Sequence, residues 1–195
     1  VTYYVMEEYE QALADFNQAL ALEPSLDWAI ASRAQVYYVL GCLDKALADF
    51  DQALALDPDL DWAIASRGET YRRMGRYEEA LTDFDRAVDL DPDHAWAIAS
   101  RGQVHQALGQ YDEALADFDR AIDLGSTLDW VIAGRGETYR LMERYGEALA
   151  DFNRAVELNA DHAWAVAHRG TVFRSLERYE EALADFDRAL ELEPA

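Results

Sequence analysis

The chain has 195 residues, of which 51% are hydrophobic and 29% charged, and its formal net charge is -22. Nucleic acid and anionic membrane repel a polyanion of this size, so neither is expected as a partner. The one cysteine, Cys42, cannot form an internal disulfide, and no stretch approaches the roughly 20 apolar residues that span a bilayer, so a cytoplasmic location is expected.

Residues 1–26 are predicted to begin partway through a first helix and to continue into a complete second helix. Tyr9, Ala12, Phe16 and Ala19 recur at helical spacing and give the second helix its apolar face. The same pattern returns every 34 residues, which indicates a repeat protein. The predicted complete copies are 27–60, 61–94, 95–128, 129–162 and 163–195, and no capping helix is expected after the last of them.

Residues 61–94 illustrate one copy. Its first helix is predicted from about Asp61 to Met74, and Gly75 ends this helix as a C-terminal cap. The second helix is predicted from about Tyr77 to Leu90, with an apolar stripe at helical spacing. Two helices of this length with so short a break between them are expected to form an antiparallel hairpin.

Each complete copy carries a small residue in the middle of its first helix. Glycine there costs about 1 kcal/mol relative to alanine, so its recurrence indicates that a neighbouring helix approaches closely. These residues are Ala34, Gly68, Gly102, Gly136 and Gly170.

The order of residues along each copy resembles the tetratricopeptide repeat family. The residues that carry the resemblance in the second complete copy are Ile64, Gly68, Tyr71, Ala80, Phe84 and Pro92. Glu143 and Glu177 depart from the pattern, because they replace the glycine between helices. The resemblance covers the whole chain. It implies an all-α fold of antiparallel helix hairpins stacked in a right-handed superhelix (an α-solenoid), and a non-catalytic scaffold that binds a protein or peptide.

Five tryptophans stand 34 residues apart, at Trp28, Trp62, Trp96, Trp130 and Trp164. They do not occupy the core position of the family pattern, which Ile64 holds in the second complete copy. Trp62 lies two residues earlier, about 200° around the helix, so a place in the core is not expected. Two hypotheses stay open: the indoles line a binding groove, or they seal the seams between adjacent copies.

In the resembling family, the first helices line a concave groove. The groove face that the resemblance implies here consists of Trp28, Trp62, Trp96, Trp130, Trp164, Ala65, Ala99, Ala133, Glu69, Gln103, Glu137, Arg72 and Arg140. Large indoles beside small alanines suit an extended or helical peptide with apolar or aromatic anchors. Glu69 and Glu137 are expected to receive a basic residue of that peptide.

One arginine also recurs in every complete copy, at Arg33, Arg67, Arg101, Arg135 and Arg169. The resemblance implies a structural role, in which the stem packs and the guanidinium meets a carboxylate of the second helix, and a role in ligand binding is the alternative. Asp49, Asp83 and Asp117 are the carboxylates expected for the first three of them.

No residue set predicts catalysis, and no metal or cofactor is expected. The four histidines include no pair at the four-residue spacing of a helical metal clamp, and there is no glycine-rich phosphate loop. The chain is therefore not expected to be an enzyme. The alternatives to a peptide-binding scaffold are an architectural rod that associates head to tail through uncapped ends, and the sensor arm of a larger signalling protein.

Overall fold

The structure, a computed structural model, describes the backbone of residues 2–193 and the side chains of residues 8–193. The first residue of the predicted opening helix and the last two of the final copy lie outside the described residues. Within the described range there are eleven α-helices and no strand, so the all-α prediction is confirmed. The helices form two compact units that divide between Pro92 and Asp93.

The first unit consists of five helices. They are α1 (Thr2–Leu22), α2 (Asp27–Val39), α3 (Leu43–Leu56), α4 (Asp61–Arg73) and α5 (Tyr77–Leu90). α2 pairs with α3 and α4 with α5 across three-residue turns, and these pairs are the predicted hairpins. α1 packs on α2, and α3 packs on α4, so each first helix also lies against the second helix that precedes it.

The beginning of the chain differs from the prediction. Thr2–Leu22 is one uninterrupted helix of 21 residues, so no turn separates the end of a first helix from the second. Glu7 stands at the position that Gly41 and Gly75 hold in the next two copies. Because glutamate is a good helix former and no glycine cap follows the preceding residues, the local sequence does not end the helix.

The second unit consists of six helices. They are α6 (Ala95–Ala107), α7 (Tyr111–Asp123), α8 (Asp129–Leu141), α9 (Tyr145–Leu158), α10 (Ala163–Ser175) and α11 (Tyr179–Leu192). They form three hairpins, α6 with α7, α8 with α9 and α10 with α11. α8 also packs on α7, and α10 on α9. A core cluster joins α8, α9 and α10, and Phe152 is fully buried within it.

Each hairpin turns through one residue in the left-handed region of the backbone. At Gly75 the φ angle is 74°, and the amide of Arg76 donates to the carbonyl of Tyr71 at 2.9 Å, which closes the helix end. Glu143 and Glu177 adopt φ angles of 60° and 59° at the equivalent positions. The loss of glycine therefore leaves the turn unchanged, although a non-glycine residue is strained there.

The mid-helix glycines allow helices to approach closely, as predicted. A Cβ atom on Gly68 would lie 3.2 Å from the Cβ of Asp83 and 3.3 Å from the ring of Phe84. On Gly136 it would lie 3.1 Å from the Cβ of Asp151. Glycine at these positions lets the first helix of a hairpin lie directly against the second.

The repeated arginine makes the predicted contact and one more. Nε and Nη2 of Arg67 donate to Asp83 at 2.8 and 2.7 Å, and Nη1 donates to Asp51, on the preceding second helix, at 2.6 Å. Arg135 bonds Asp151 and Asp119 at nearly the same distances. These bonds raise the pKa of Arg135, with the hydrogen bond to Asp151 as the largest cause. We call this arrangement the arginine clasp.

The arginine clasp also forms in two copies where the acceptor on the preceding second helix is an asparagine instead of an aspartate. Arg33 bonds Asp49 through Nε and Nη2, and its Nη1 donates to the amide oxygen of Asn17 at 2.7 Å. Arg169 does the same with Asp185 and Asn153. The clasp therefore needs an oxygen acceptor on the preceding helix, but that acceptor can be neutral.

The turn geometry predicts opposite effects for two glycine-to-alanine changes. Gly75→Ala is expected to lower the free energy of unfolding by about 1 kcal/mol, because alanine is strained at positive φ. Gly146→Ala is the matched control: Gly146 lies in α9 with nothing within 4 Å of the added Cβ, so alanine is expected to stabilise by about 0.5 kcal/mol. Urea unfolding measures both, and a shift of the same sign in the two variants would contradict the prediction.

Removal of one clasp is expected to destabilise the second unit. Arg135→Met keeps most of the apolar stem but leaves Asp151, 8% exposed, without its cationic partner, and we expect a loss of about 2 kcal/mol. Arg76→Met is the control, because Arg76 and Glu79 form an exposed pair and such pairs contribute little. Thermal unfolding of the two variants should differ clearly, and equal losses would show that the clasp is not structural.

Candidate functional site

The five tryptophans share one structural position, the second residue of a first helix. Trp28 is 52% exposed and Trp164 is 42% exposed. Trp62, Trp96 and Trp130 are half-buried. Every one of these indoles therefore keeps part of its surface accessible to a partner.

Trp164 also takes part in packing between copies. Its ring lies 6.2 Å from that of Phe152 in the preceding copy, centroid to centroid, in an edge-on arrangement. The two hypotheses from the sequence are thus compatible at this position. One part of the indole packs across the seam, and the remainder is exposed.

The alanines of the predicted groove lie in the core instead of on the surface. Ala65 is 1% exposed, and Ala99 and Ala133 are fully buried. Ala133 belongs to the core cluster of the second unit, together with Phe152. Within each unit, α4, α8 and α10 are each covered by their own second helix and by the preceding one, which leaves only a narrow exposed strip. These alanines are therefore unable to contact a ligand directly.

One cavity of the second unit gathers several of the predicted groove residues. It has a volume of about 220 Å³ and is lined by Gln103, Gln106, Trp130, Gly134, His162 and Trp164. Gln103, Trp130 and Trp164 are members of the predicted site. The volume lies below the roughly 300 Å³ at which pockets for small molecules begin. It suits one large side chain or a short stretch of peptide.

Two histidines pack against Trp164 beside this cavity. The ring of His168 stacks on the indole at a centroid distance of 4.0 Å, and the ring of His162 lies 6.1 Å away at an interplanar angle of 30°. His162 was not predicted as a site residue. The signal for it was weak, a histidine two residues before a tryptophan, and the same pattern occurs at His94.

His162 lies beside a carboxylate that already has another partner. Its Nδ1 is 3.1 Å from Oδ2 of Asp129, without hydrogen-bond geometry. The amide of Asn159 donates to the same Oδ2 at 2.6 Å. The edge of the cavity therefore contains one buried ring nitrogen that has no hydrogen-bond partner among the described residues.

In the first unit, Glu69 is held by two partners. Nε and Nη2 of Arg72 donate to its carboxylate at 2.7 Å each, and the hydroxyl of Tyr38 donates to Oε1 at 3.0 Å. Burial raises the pKa of Tyr38, and the charge of Glu69 adds to that effect. The expected ligand cation is thus replaced by an arginine of the chain, three residues further along the same helix.

In the second unit, Glu137 is neutralised in the same way. Arg140 donates to it through Nε and Nη2 at 2.6 Å each. The two glutamines that line the cavity differ in their hydrogen bonds. Nε2 of Gln106 donates to the carbonyl of Gly134 at 3.0 Å and to the hydroxyl of Thr138 at 2.8 Å.

Gln103 forms no hydrogen bond with the residues that the structure describes, so its amide is available to a ligand.

Neither a metal site nor a membrane-spanning helix is present in the part of the chain that the structure describes. Among the described side chains, no three His, Cys, Asp or Glu residues come together in a way that could hold a metal ion. None of the helices described here is long and apolar enough to cross a membrane.

Comparison with known families identifies the repeat. Models described as tetratricopeptide repeat match residues 28–60, 59–127, 132–162 and 163–195, which together cover most of the chain. The chain belongs to the tetratricopeptide repeat family. Repeats of this family serve generally as protein-interaction scaffolds. No curated protein matches the chain significantly.

Solved structures of tetratricopeptide repeat proteins are similar to this chain. YrrB, described as a protein of this family with an unusual peptide-binding site, is 26% identical over 92% of each chain, with a TM-score of 0.68. A tetratricopeptide repeat protein from Parabacteroides merdae is 24% identical over 97% of this chain and 74% of its own, with a TM-score of 0.78. PilF from Pseudomonas aeruginosa is 20% identical over 100% and 88%, with a TM-score of 0.83. The last two show the fold alone.

The contact between Tyr38 and Glu69 predicts a pH-dependent contribution to stability. Tyr38→Phe removes the donor and is expected to cost about 1 kcal/mol, because a partly buried carboxylate loses one of its hydrogen bonds. The folded-state pKa of Tyr38 is raised above 10.0, so its contribution is complete below pH 10 and falls as the pH rises beyond it. The difference between wild type and Tyr38→Phe in urea unfolding should therefore shrink above pH 10.

Tyr179→Phe serves as the control, because Tyr179 is 64% exposed and its hydroxyl bonds no described residue. This change is expected to leave stability unaltered at neutral pH. If Tyr179→Phe lowers the free energy of unfolding as much as Tyr38→Phe does, the bond to Glu69 does not stabilise the fold as predicted.

Proposed function

We propose that the chain is a non-catalytic interaction module that binds a peptide or protein segment at its tryptophan-lined surfaces. The principal site in this proposal is the cavity between Trp130 and Trp164 in the second unit. The observation that carries the proposal is this cavity, in which two partly exposed indoles and the unpaired amide of Gln103 come together. Tryptophan is among the residues most enriched at binding hot spots.

The exposed indoles can supply substantial binding energy. If a partner covers about 80 Å² of apolar surface on one tryptophan, the gain is about 2 kcal/mol at 25 cal/mol per Å². Such a contribution corresponds to roughly thirtyfold in affinity. Trp28 and Trp164, as the two most exposed indoles, have the most surface left to bury.

The hydrogen-bonding groups narrow the chemistry of the ligand. Glu137 is already paired with Arg140, so the second-unit site has no need of a basic ligand residue. Gln103 can both donate and accept, which suits the amide groups of an extended peptide backbone. The proposed ligand is therefore a neutral segment with an apolar or aromatic side chain that enters the cavity between the indoles.

The resemblance to YrrB supports the peptide-binding proposal, because that protein is described as having an unusual peptide-binding site. The net charge of -22 disfavours polyanionic partners, which leaves protein as the class of ligand we propose. A cytoplasmic location remains part of the proposal, as the sequence predicted.

An architectural role is the second candidate. It is favoured by the exposure of Leu183 and Leu190 on α11, at 61% and 63%. A self-assembling rod would show concentration-dependent association in sedimentation without any ligand. A chain that remains monomeric at high concentration would remove this second candidate and leave the binding module.

The binding proposal predicts the behaviour of a double variant. Peptides selected from a display library against the immobilised chain should bind Trp130→Ala/Trp164→Ala at least about thirtyfold more weakly than wild type, because both indoles that flank the cavity are lost. Titration by fluorescence anisotropy measures the affinities. Circular dichroism checks that helicity is retained, as expected for residues that lie outside the fully buried core.

The matched control is Tyr179→Ala, which removes an exposed aromatic ring of the second unit that does not line the cavity. Its affinity should equal that of wild type. If the double variant binds the selected peptides as tightly as Tyr179→Ala does, the cavity is not the binding site.

A further inference from the structure

The loop before α8 lacks a contact that the corresponding loops of two other hairpins make. In the first unit, Nη2 of Arg86 on α5 donates to the carbonyl of Pro58 at 2.5 Å and to Asp59 at 3.3 Å. In the second unit, Nη2 of Arg188 on α11 bonds Asp161, in the loop before α10, at 3.2 Å. Each contact joins a second helix to the loop that opens its own hairpin.

Arg154 of α9 is the equivalent arginine in the hairpin of α8 and α9, but its carboxylate is missing. Residue 127, which corresponds to Asp59 and Asp161, is a threonine. Arg154 is exposed and has no ion pair or hydrogen bond with any residue that the structure describes. The two equivalent positions thus hold a guanidinium and a hydroxyl instead of a guanidinium and a carboxylate.

The first complete copy shows a different combination at the same two positions. Ser25 stands at the loop position there, and Gln52 stands at the helix position, so the carboxylate and the arginine are both absent. In the hairpin of α8 and α9 only the carboxylate is replaced. The cation is therefore kept at Arg154 although its partner within the chain is lost.

Thr127 is accessible to a modifying enzyme. Residues 126–128 belong to no helix, and the side chain of Thr127 is exposed and forms no hydrogen bond with a described residue. Ser126 stands where the corresponding loop of the first unit has Pro58, so no proline fixes the backbone before Thr127. An exposed, irregular segment of this kind can be bound by a kinase in an extended form.

We propose that Thr127 is a phosphorylation site and that its phosphate bonds Arg154. A separate protein kinase transfers the γ-phosphoryl group of a nucleoside triphosphate to Oγ1 of Thr127, the hydroxyl loses its proton, and the nucleoside diphosphate leaves. The product has an anion at the position of the carboxylates of Asp59 and Asp161. Its charge of about -1.5 to -2 and its three acceptor oxygens suit a guanidinium well.

The acidic residues around the loop indicate the kind of kinase. Asp123 and Asp129 flank the loop in the sequence, so a kinase with a basic substrate cleft is the complementary partner. Asp129 accepts from Asn159 and makes no bond with Arg154. Arg154 therefore stays available to the phosphate.

The modification also acts on the start of α8. Trp130, which lines the cavity, is the second residue of this helix and follows Thr127 closely in the sequence. A phosphate held by Arg154 ties the loop before Trp130 to α9. The link to ligand binding rests on the proposed function, whereas the modification itself does not.

The first test asks whether the modification occurs. The chain purified from the cells that produce it naturally, both growing and starved, should carry phosphate on Thr127 in tandem mass spectrometry. Thr82 is the internal control, because it is also exposed but lies within α5, where its hydroxyl donates to the carbonyl of Glu78 at 2.9 Å. No phosphate on Thr127, or equal phosphate on Thr82, would overturn the proposal.

The second test asks whether Arg154 is the partner. The full chain is produced with phosphothreonine at position 127 by genetic code expansion, and the phosphate is titrated by phosphorus-31 NMR. Its pKa should be lower by about 0.5 or more than in the same chain with Arg154→Met, because a nearby cation favours the dianion. Phosphorylation should also raise the Tm by about 2 °C only where Arg154 is present.

Arg188→Met is the matched control, since it removes an exposed arginine of the second unit that already bonds Asp161. It should leave the titration of the phosphate unchanged, and circular dichroism checks that both variants fold. Equal phosphate pKa values in the three chains would overturn the pairing with Arg154. Neither test uses a peptide ligand, so a failure of the proposed peptide site would not alter their results.

Discussion

The arginine clasp is the interaction on which the surface of each unit depends. Its guanidinium joins a first helix to two second helices at once, through oxygens that lie 16 residues before and after it in the sequence. The tryptophan of each copy precedes this arginine by five residues on the same helix, as Trp130 precedes Arg135. The clasp and the mid-helix glycine together set the position of the helix, and hence the place where its indole reaches the surface. The candidate binding residues thus lie on a rigid element, which would reduce the entropy lost when a ligand binds.

The chain as a whole is strongly acidic, but the acidic groups at its candidate site are paired within the protein. The net charge of -22 is the dominant property of the sequence, and second helices such as α11 carry most of it. Around the proposed site, by contrast, the acidic groups have internal partners. Glu137 is paired with Arg140, and Asp129 accepts from Asn159. A ligand bound at the proposed site would therefore meet indoles and amides, while the acidic second helices present a like charge to any polyanion.

Much of the fold could be predicted from the sequence, because the repeated pattern constrains each copy in the same way. The bounds of α5 were predicted as Tyr77 to Leu90, as found, and the bond between Arg67 and Asp83 was expected from the resemblance to the family. The continuous helix α1 was not predicted. Glu7 is equivalent in the repeat to Glu143 and Glu177, and both of those glutamates lie in hairpin turns. The same residue type turns the chain in one context and continues the helix in another, so local sequence alone does not decide the outcome.

The candidate site was less predictable than the fold, because it depends on distances between copies. Periodicity placed Ala133 on the same strip as Trp130, but burial depends on how closely α7 and α9 approach α8, and Ala133 is covered completely. The pairing of Glu69 with Arg72 and Tyr38 combines a contact within one helix with a contact from another copy. His162 joins the cavity from the residue before α10, a position that carries no strong sequence signal.

Each clasp arginine bonds acceptors at equal sequence separations before and after it, and this limits how such a chain can change length. A single residue inserted within α9 ahead of Asp151 would move Asp151 by about 100° around that helix while Asp119 stays in place, so the guanidinium of Arg135 could no longer reach both acceptors. Duplication or deletion of a whole copy brings each arginine a new pair of acceptors at the same separation. Genes for such chains are thus expected to gain or lose one complete hairpin at a time, because every contact in the remaining copies is then kept.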